Sequence, residues 1–99
     1  MSNTGLIEAR MLAMLAERSP DASICPSEVA RSLATEDAAW RALMAPVREV
    51  ATALAVQGSV IITQGQQQVV PEGPFKGPIR LRRGPAYQAP DSRQESDSF

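Results

Sequence analysis

Apolar positions along this chain repeat with two different periods, and the change of period falls at Gly58. Over residues 4–18, Ile7, Met11, Met14 and Leu15, with Arg18 beyond, keep to one face of a helix that Asn3 or Thr4 can cap. Leu6, Leu12 and the alanines at 9, 13 and 16 widen its apolar surface, so this helix is either clasped on two sides or packed on another subunit. Ser19-Pro20-Asp21-Ala22 ends it. Ser23-Ile24 reads as a short extended stretch, and Cys25 and Pro26 open a second helix whose buried face is Val29, Ala30 and Leu33. Proline is tolerated at a first helical position, because its missing N–H would have no partner there. Glu28 stands three residues after Cys25, the place of the acidic member of a capping box.

Residues 34–37 form a turn of the length that joins two helices in a helix-turn-helix. The third helix carries the strongest periodicity: Trp40, Leu43, Met44, Val47, Val50, Ala51 and Leu54 share a face. Asp37 suits its N-cap and Gly58 its C-terminal stop. Pro46 removes one backbone hydrogen bond and crowds the Ala42 carbonyl, so the helix is expected to kink or split there.

Beyond Gly58 the period becomes two. Val60 to Thr63 are β-branched, Gln64-Gly65-Gln66 reads as a hairpin turn into residues 67–70, and Ile79-Arg80-Leu81-Arg82 alternates apolar with basic as a half-buried strand does. Residues 71–78 read as a loop. From Gly84 onward two prolines, three serines and mixed charge leave little to bury, so 84–99 is expected to be a disordered tail after a domain over 4–83.

Composition narrows the chemistry. The 99 residues include no histidine and one cysteine, which removes histidine acid–base catalysis, Cys/His zinc sites and an internal disulfide. No apolar run approaches a membrane span, the first residues lack the basic stretch of a signal peptide, and a cytoplasmic location is the expectation. The net charge of −1 hides an uneven distribution. Residues 1–47 carry four arginines against six acids, 48–83 carry five basic side chains against two acids, and 84–99 carry one arginine against three acids. The acidic chain thus contains a basic stretch, and nine of its ten cations are arginine, the side chain suited to planar contact with phosphate.

Helix, short strand, helix, turn, helix and a small sheet is the element order of a winged helix. The expected fold is α+β: a winged helix-turn-helix of three helices followed by a small antiparallel β wing. The sequence also resembles a small bacterial winged-helix family of unknown function. The resemblance is carried by residues 23–31 (SICPSEVAR), Trp40-Arg41 with Leu43-Met44, Val47-Arg48 with Val50-Ala51, Gly58, Ile62-Thr63-Gln64 with Gln66, and residues 77–82 (GPIRLR). It spans about residues 6–83 and implies the fold, but no activity.

Within that frame Arg41, Ala45, Arg48 and Thr52 fall in one sector of the third helix, away from its apolar face. They can enter or flank a major groove, or form a solvated face beside Glu49. Arg80, Arg82 and Arg83, with Lys76 in the preceding loop, can track a phosphate backbone, or cover the sheet and pair with Glu28, Glu36 or Asp37. Cys25 is either an oxidisable thiol at a helix start or a small packing residue, and Trp40 belongs to the core or offers a stacking surface for a base. No acidic pair and no phosphate-binding glycine motif suggests an enzyme, and neither metal nor cofactor is expected. The expected function is DNA binding, with a protein-interaction module as the alternative; a homodimer through the first helix is expected from its wide apolar surface.

Overall fold

The computed structural model describes residues 4–65, 67–69 and 77–88. Helix α1 spans Thr4–Ala16, strand β1 Ser23–Ile24, helix α2 Pro26–Leu33 and helix α3 Asp37–Val56. Strands β2 Val60–Gln64, β3 Gln67–Gln68 and β4 Arg80–Arg83 follow. The chain is an α+β protein: three helices on one side of a four-stranded antiparallel sheet of order β1-β4-β2-β3. Among the described residues, no helix is long and apolar enough to cross a membrane.

The helical periodicities select the core directly. Ile7, Met11, Met14 and Leu15 of α1, Val29 and Ala30 of α2, and Val47, Val50, Ala51 and Leu54 of α3 are buried. They meet Ile24, Val60, Ile62, Ile79 and Leu81 from the sheet side in one cluster. Each fully buried Leu, Ile or Val contributes roughly 1.5–3 kcal/mol through removal of apolar surface from water. Strand alternation puts Leu81 beside Ile24 and Ile62 on the inner face, and so turns Arg80 and Arg82 to the outer face.

Helix ends are closed by sequence-local devices. Glu28 Oε1 accepts from the Cys25 backbone N–H at 2.9 Å, the acidic half of the expected capping box at the start of α2. Gly58 adopts φ +84° just after α3, with its N–H donating to the Ala55 carbonyl and that of Ser59 to the Leu54 carbonyl, the paired bonds of a Schellman stop. Gly65 takes φ +61° in the β2–β3 turn.

Three expectations change. Helix α3 runs unbroken through Pro46, so the split is excluded. The carbonyl that the proline leaves without a donor, that of Ala42, lies on an exposed residue where water can serve it. The N-cap of α3 is Glu36 and Asp37 is already helical. The tail does not begin at Gly84, because residues 84–88 continue the fold. Gly84 N–H donates to the Ser59 carbonyl and Ala86 N–H to the Gly58 carbonyl, both at 2.9 Å. Tyr87 packs against the core and donates its hydroxyl to the Leu12 carbonyl at 2.8 Å. A β-carbon at Gly84 would collide with the Gly58 carbonyl oxygen, which explains a glycine at that close approach. The rest of the expected tail, 89–99, lies outside the described residues.

Candidate functional site

Helices α2 and α3 are joined by residues 34–36, and their junction holds an open cleft of about 380 Å³. Its walls are Arg31, Ala34, Thr35, Asp37, Trp40 and Arg41. The helical register explains the grouping. Arg31 stands in the last turn of α2, and Trp40 and Arg41 stand one turn into α3, so the short connection folds them together. Trp40 is half-buried against the core, which anchors its ring. The Arg31 guanidinium carbon lies 4.4 Å from the ring centroid and that of Arg41 4.8 Å, so one indole carries two cations. Both arginines are exposed. Among the described residues, neither guanidinium donates a hydrogen bond or forms an ion pair. Glu36 makes no side-chain bond to the first turn of α3, so the amide end of that helix also faces this corner without a capping acceptor.

The other sector residues of α3 are engaged. Arg48 is half-buried and donates through Nη2 to the Gly77 carbonyl at 3.1 Å, tying α3 to the segment that enters β4. Thr52 donates its hydroxyl to the Arg48 carbonyl one turn back at 3.0 Å. On the solvent-facing surface of α3, Ala38, Ala42, Ala45 and Ala53 are exposed, with Asp37, Arg41 and Glu49 as its exposed charges.

Strand β4 separates its arginines by alternation. Arg80 lies across the outer face and donates from Nε to the Ser23 hydroxyl at 2.7 Å and from Nη2 to the Ser23 carbonyl at 3.0 Å. Arg82 lines a second, polar hollow of about 320 Å³ with Asp21, Ser23, Thr63, Gly65 and Gln68, and its buried Nε has no partner among the described residues. Arg83 turns to the helix side. Its Nη2 donates to the Leu15 and Arg18 carbonyls, both at 3.0 Å, and its Nε to the Leu15 carbonyl at 3.3 Å. Its guanidinium also lies 4.8 Å from the Tyr87 ring centroid. Arg83 therefore closes the C-terminal end of α1, where carbonyls lack helical donors and the dipole favours a cation. Burial raises the Tyr87 hydroxyl above its ordinary pKa of 10.0, with the Arg83 charge opposing.

The arginine set expected from the sequence is thus distributed rather than gathered. Arg41 stands in the α2–α3 cleft, Arg48 and Thr52 against the segment before β4, Arg80 and Arg82 on the outer sheet face, and Arg83 under α1; Lys76 lies outside the described residues. No acid among Glu28, Glu36 and Asp37 pairs with a β4 arginine; Glu28 stands 3.9 Å from Arg18 instead. The residue missed from the sequence is Arg31. It belongs to a different helix from Arg41, so no single helical wheel brings them together. Cys25 is a half-buried free thiol.

Fold and cleft define a small α+β protein with an arginine–tryptophan corner between its second and third helices. A family model described as a protein of unknown function (DUF3253) matches residues 4–84, and the chain belongs to that family. No curated protein matches it.

Proposed function

We propose that this chain is a winged-helix protein that binds duplex DNA, with α3 as its recognition helix and the β2–β4 strands as its wing. The observation that carries the reading is the exposed face of α3. Four alanines leave little bulk on that surface beside Glu49, and Arg41 stands at its edge one turn after a short helix–helix connection. A helix of this profile can lie close to the floor of a major groove while arginine reaches a base edge or a phosphate. Arg48 is anchored by a backbone carbonyl, which leaves remaining guanidinium donors on a side chain already held in place. Fold analogy supplies the class of partner here, and the site supplies the residues.

A second reading, a protein-interaction module without nucleic-acid affinity, is favoured by a different surface. Leu6 is 60% exposed and lines an apolar notch with Ile7, Leu33 and Leu43. A homodimer formed through α1 would cover it.

Titration of a random-sequence duplex at several salt concentrations tests the first reading. Phosphate contacts from Arg31, Arg41 and Arg48 predict a slope of log affinity against log salt of about −3. Absence of measurable binding at low salt overturns it. A concentration-dependent dimer in sedimentation, abolished by Leu6→Glu, would then favour the second.

A further inference from the structure

Two arginines converge on one aromatic ring in a cleft where like charges repel, and neither is neutralised by a carboxylate contact. Arg48, Arg80 and Arg83 all have carbonyl partners, whereas Arg31 and Arg41 have the Trp40 ring and none among the described residues. The ring contact holds each guanidinium at the cleft, and its N–H donors have no acceptor among the described residues. The cleft brings these donors to the uncapped first turn of α3, where an anion is favoured. Asp37 is the single carboxylate on the cleft wall, so the walls carry two positive charges against one negative.

We propose that Arg31 and Arg41, held by Trp40, form a clamp for a phosphate group, which on duplex DNA is a backbone phosphodiester. The clamp rests on the DNA-binding reading for that choice of source, and on the cleft alone for the chemistry. Guanidinium donors from two helices approach one tetrahedral oxyanion from two directions, a geometry that a carbonyl or a neutral hydroxyl cannot exploit as fully. Trp40 is a positioning residue: it touches the arginines and leaves the phosphate to them. The same arrangement explains why its ring is not free as a stacking surface for a base.

Trp40 is the chain's sole tryptophan, so its emission reports on this cleft directly. The test titrates the full chain with pyrophosphate at constant ionic strength and, separately, with a fluorescently labelled random-sequence duplex followed by anisotropy. Arg31→Gln and Arg41→Gln are compared with Arg18→Gln, which removes the same charge from an exposed position outside the cleft. The clamp predicts a saturable change of Trp40 emission with pyrophosphate, lost in Arg31→Gln and Arg41→Gln and kept in Arg18→Gln. On the duplex each cleft variant should bind roughly tenfold more weakly. Each should also flatten the salt slope by about one. Asp37→Asn should tighten pyrophosphate binding several-fold. Trp40→Phe, which retains a ring with a weaker cation–π attraction, should weaken duplex binding by less than either arginine variant.

Failures of the two readings are distinguishable. Duplex binding that Arg31→Gln and Arg41→Gln weaken no more than Arg18→Gln overturns the clamp and leaves DNA binding standing. Arginine-dependent pyrophosphate binding without duplex binding upholds the clamp for small phosphates and overturns the DNA reading. A Trp40 emission that does not respond to pyrophosphate overturns the clamp.

Discussion

Two corners of this molecule each pair arginine with an aromatic ring, and they do opposite work. At the α1 terminus Arg83 lies over Tyr87 and donates to the carbonyls of Leu15 and Arg18, while Tyr87 donates to that of Leu12. Arg83 Nε and Nη2 and the Tyr87 hydroxyl there all meet acceptors of the same chain. At the α2–α3 junction Arg31 and Arg41 lie at similar distances from Trp40 and donate to nothing among the described residues. The ring contact is common to both, so it does not distinguish structure from function. The disposition of the remaining N–H donors does: bonded to carbonyls they close a helix, without an acceptor among the described residues they are available to a partner. Variants that remove each set should therefore separate stability from binding.

The largest effect is expected at the α1 corner, through the segment that brings Tyr87 to it. Gly84→Ala drives a methyl group into the Gly58 carbonyl and strains the bonds from Gly84 to Ser59 and from Ala86 to Gly58. A loss of about 3 kcal/mol in urea unfolding is expected from overpacking together with a weakened hydrogen-bonded strap. An unchanged midpoint would mean that residues 84–88 do not belong to the folded unit. Arg83→Met comes next. It keeps an unbranched stem but removes the guanidinium donors from the Leu15 and Arg18 carbonyls, leaving Leu15 only the Arg18 backbone N–H, for a loss of about 2 kcal/mol. If that variant were as stable as wild type while DNA affinity fell, the assignment of the two corners would be reversed.

How far the sequence foretold each corner follows from the range of the interactions involved. Period and punctuation are local, so Ile7/Met11/Leu15, Val47/Val50/Leu54 and Gly58 were readable as helix faces and a stop. The start of α3 was one residue off, because Glu36 and Asp37 are adjacent acids and neither side chain supplies the bond that would single out an N-cap. Gly84-Pro85 carried the composition of a breaker, and nothing nearby in the chain reveals that Tyr87 returns to a carbonyl 75 positions earlier. Arg83 reads from the sequence as part of a cationic edge with Arg80 and Arg82, yet alternation alone sends it to the other face of β4. Its partners on α1 are 68 and 65 positions away. The Arg31–Arg41 pairing was hidden for a simpler reason: a search along one helix face cannot join residues of two helices.

A smaller effect tests the α1 corner through pH. Tyr87 is the chain's sole tyrosine, so tyrosinate absorbance follows it without interference. Burial raises its folded-state pKa above the unfolded value of about 10 and Arg83 opposes the shift. The neutral phenol is the form the fold prefers. Its contribution is therefore complete below the unfolded pKa and is lost as pH rises through the folded one. Stability should decline above about pH 10, and the decline should be shallower in Tyr87→Phe, which has no proton to lose. An equally steep decline in that variant would assign the alkaline transition to other groups.

The smallest stability effect is expected where the binding effect is greatest. Arg31→Gln and Arg41→Gln each remove an exposed guanidinium that closes no backbone carbonyl, so unfolding free energy should move by no more than about 0.5 kcal/mol. Loss of a cation–π contact lowers stability, while loss of one of two neighbouring like charges raises it, and these contributions oppose each other. The double variant decides between them. If mutual repulsion dominates, the first substitution stabilises the chain and the second, which then removes only the remaining ring contact, destabilises it. Purely additive destabilisation in the cycle would mean that the two cations do not feel one another across Trp40, and the charge convergence on which the clamp depends would be absent.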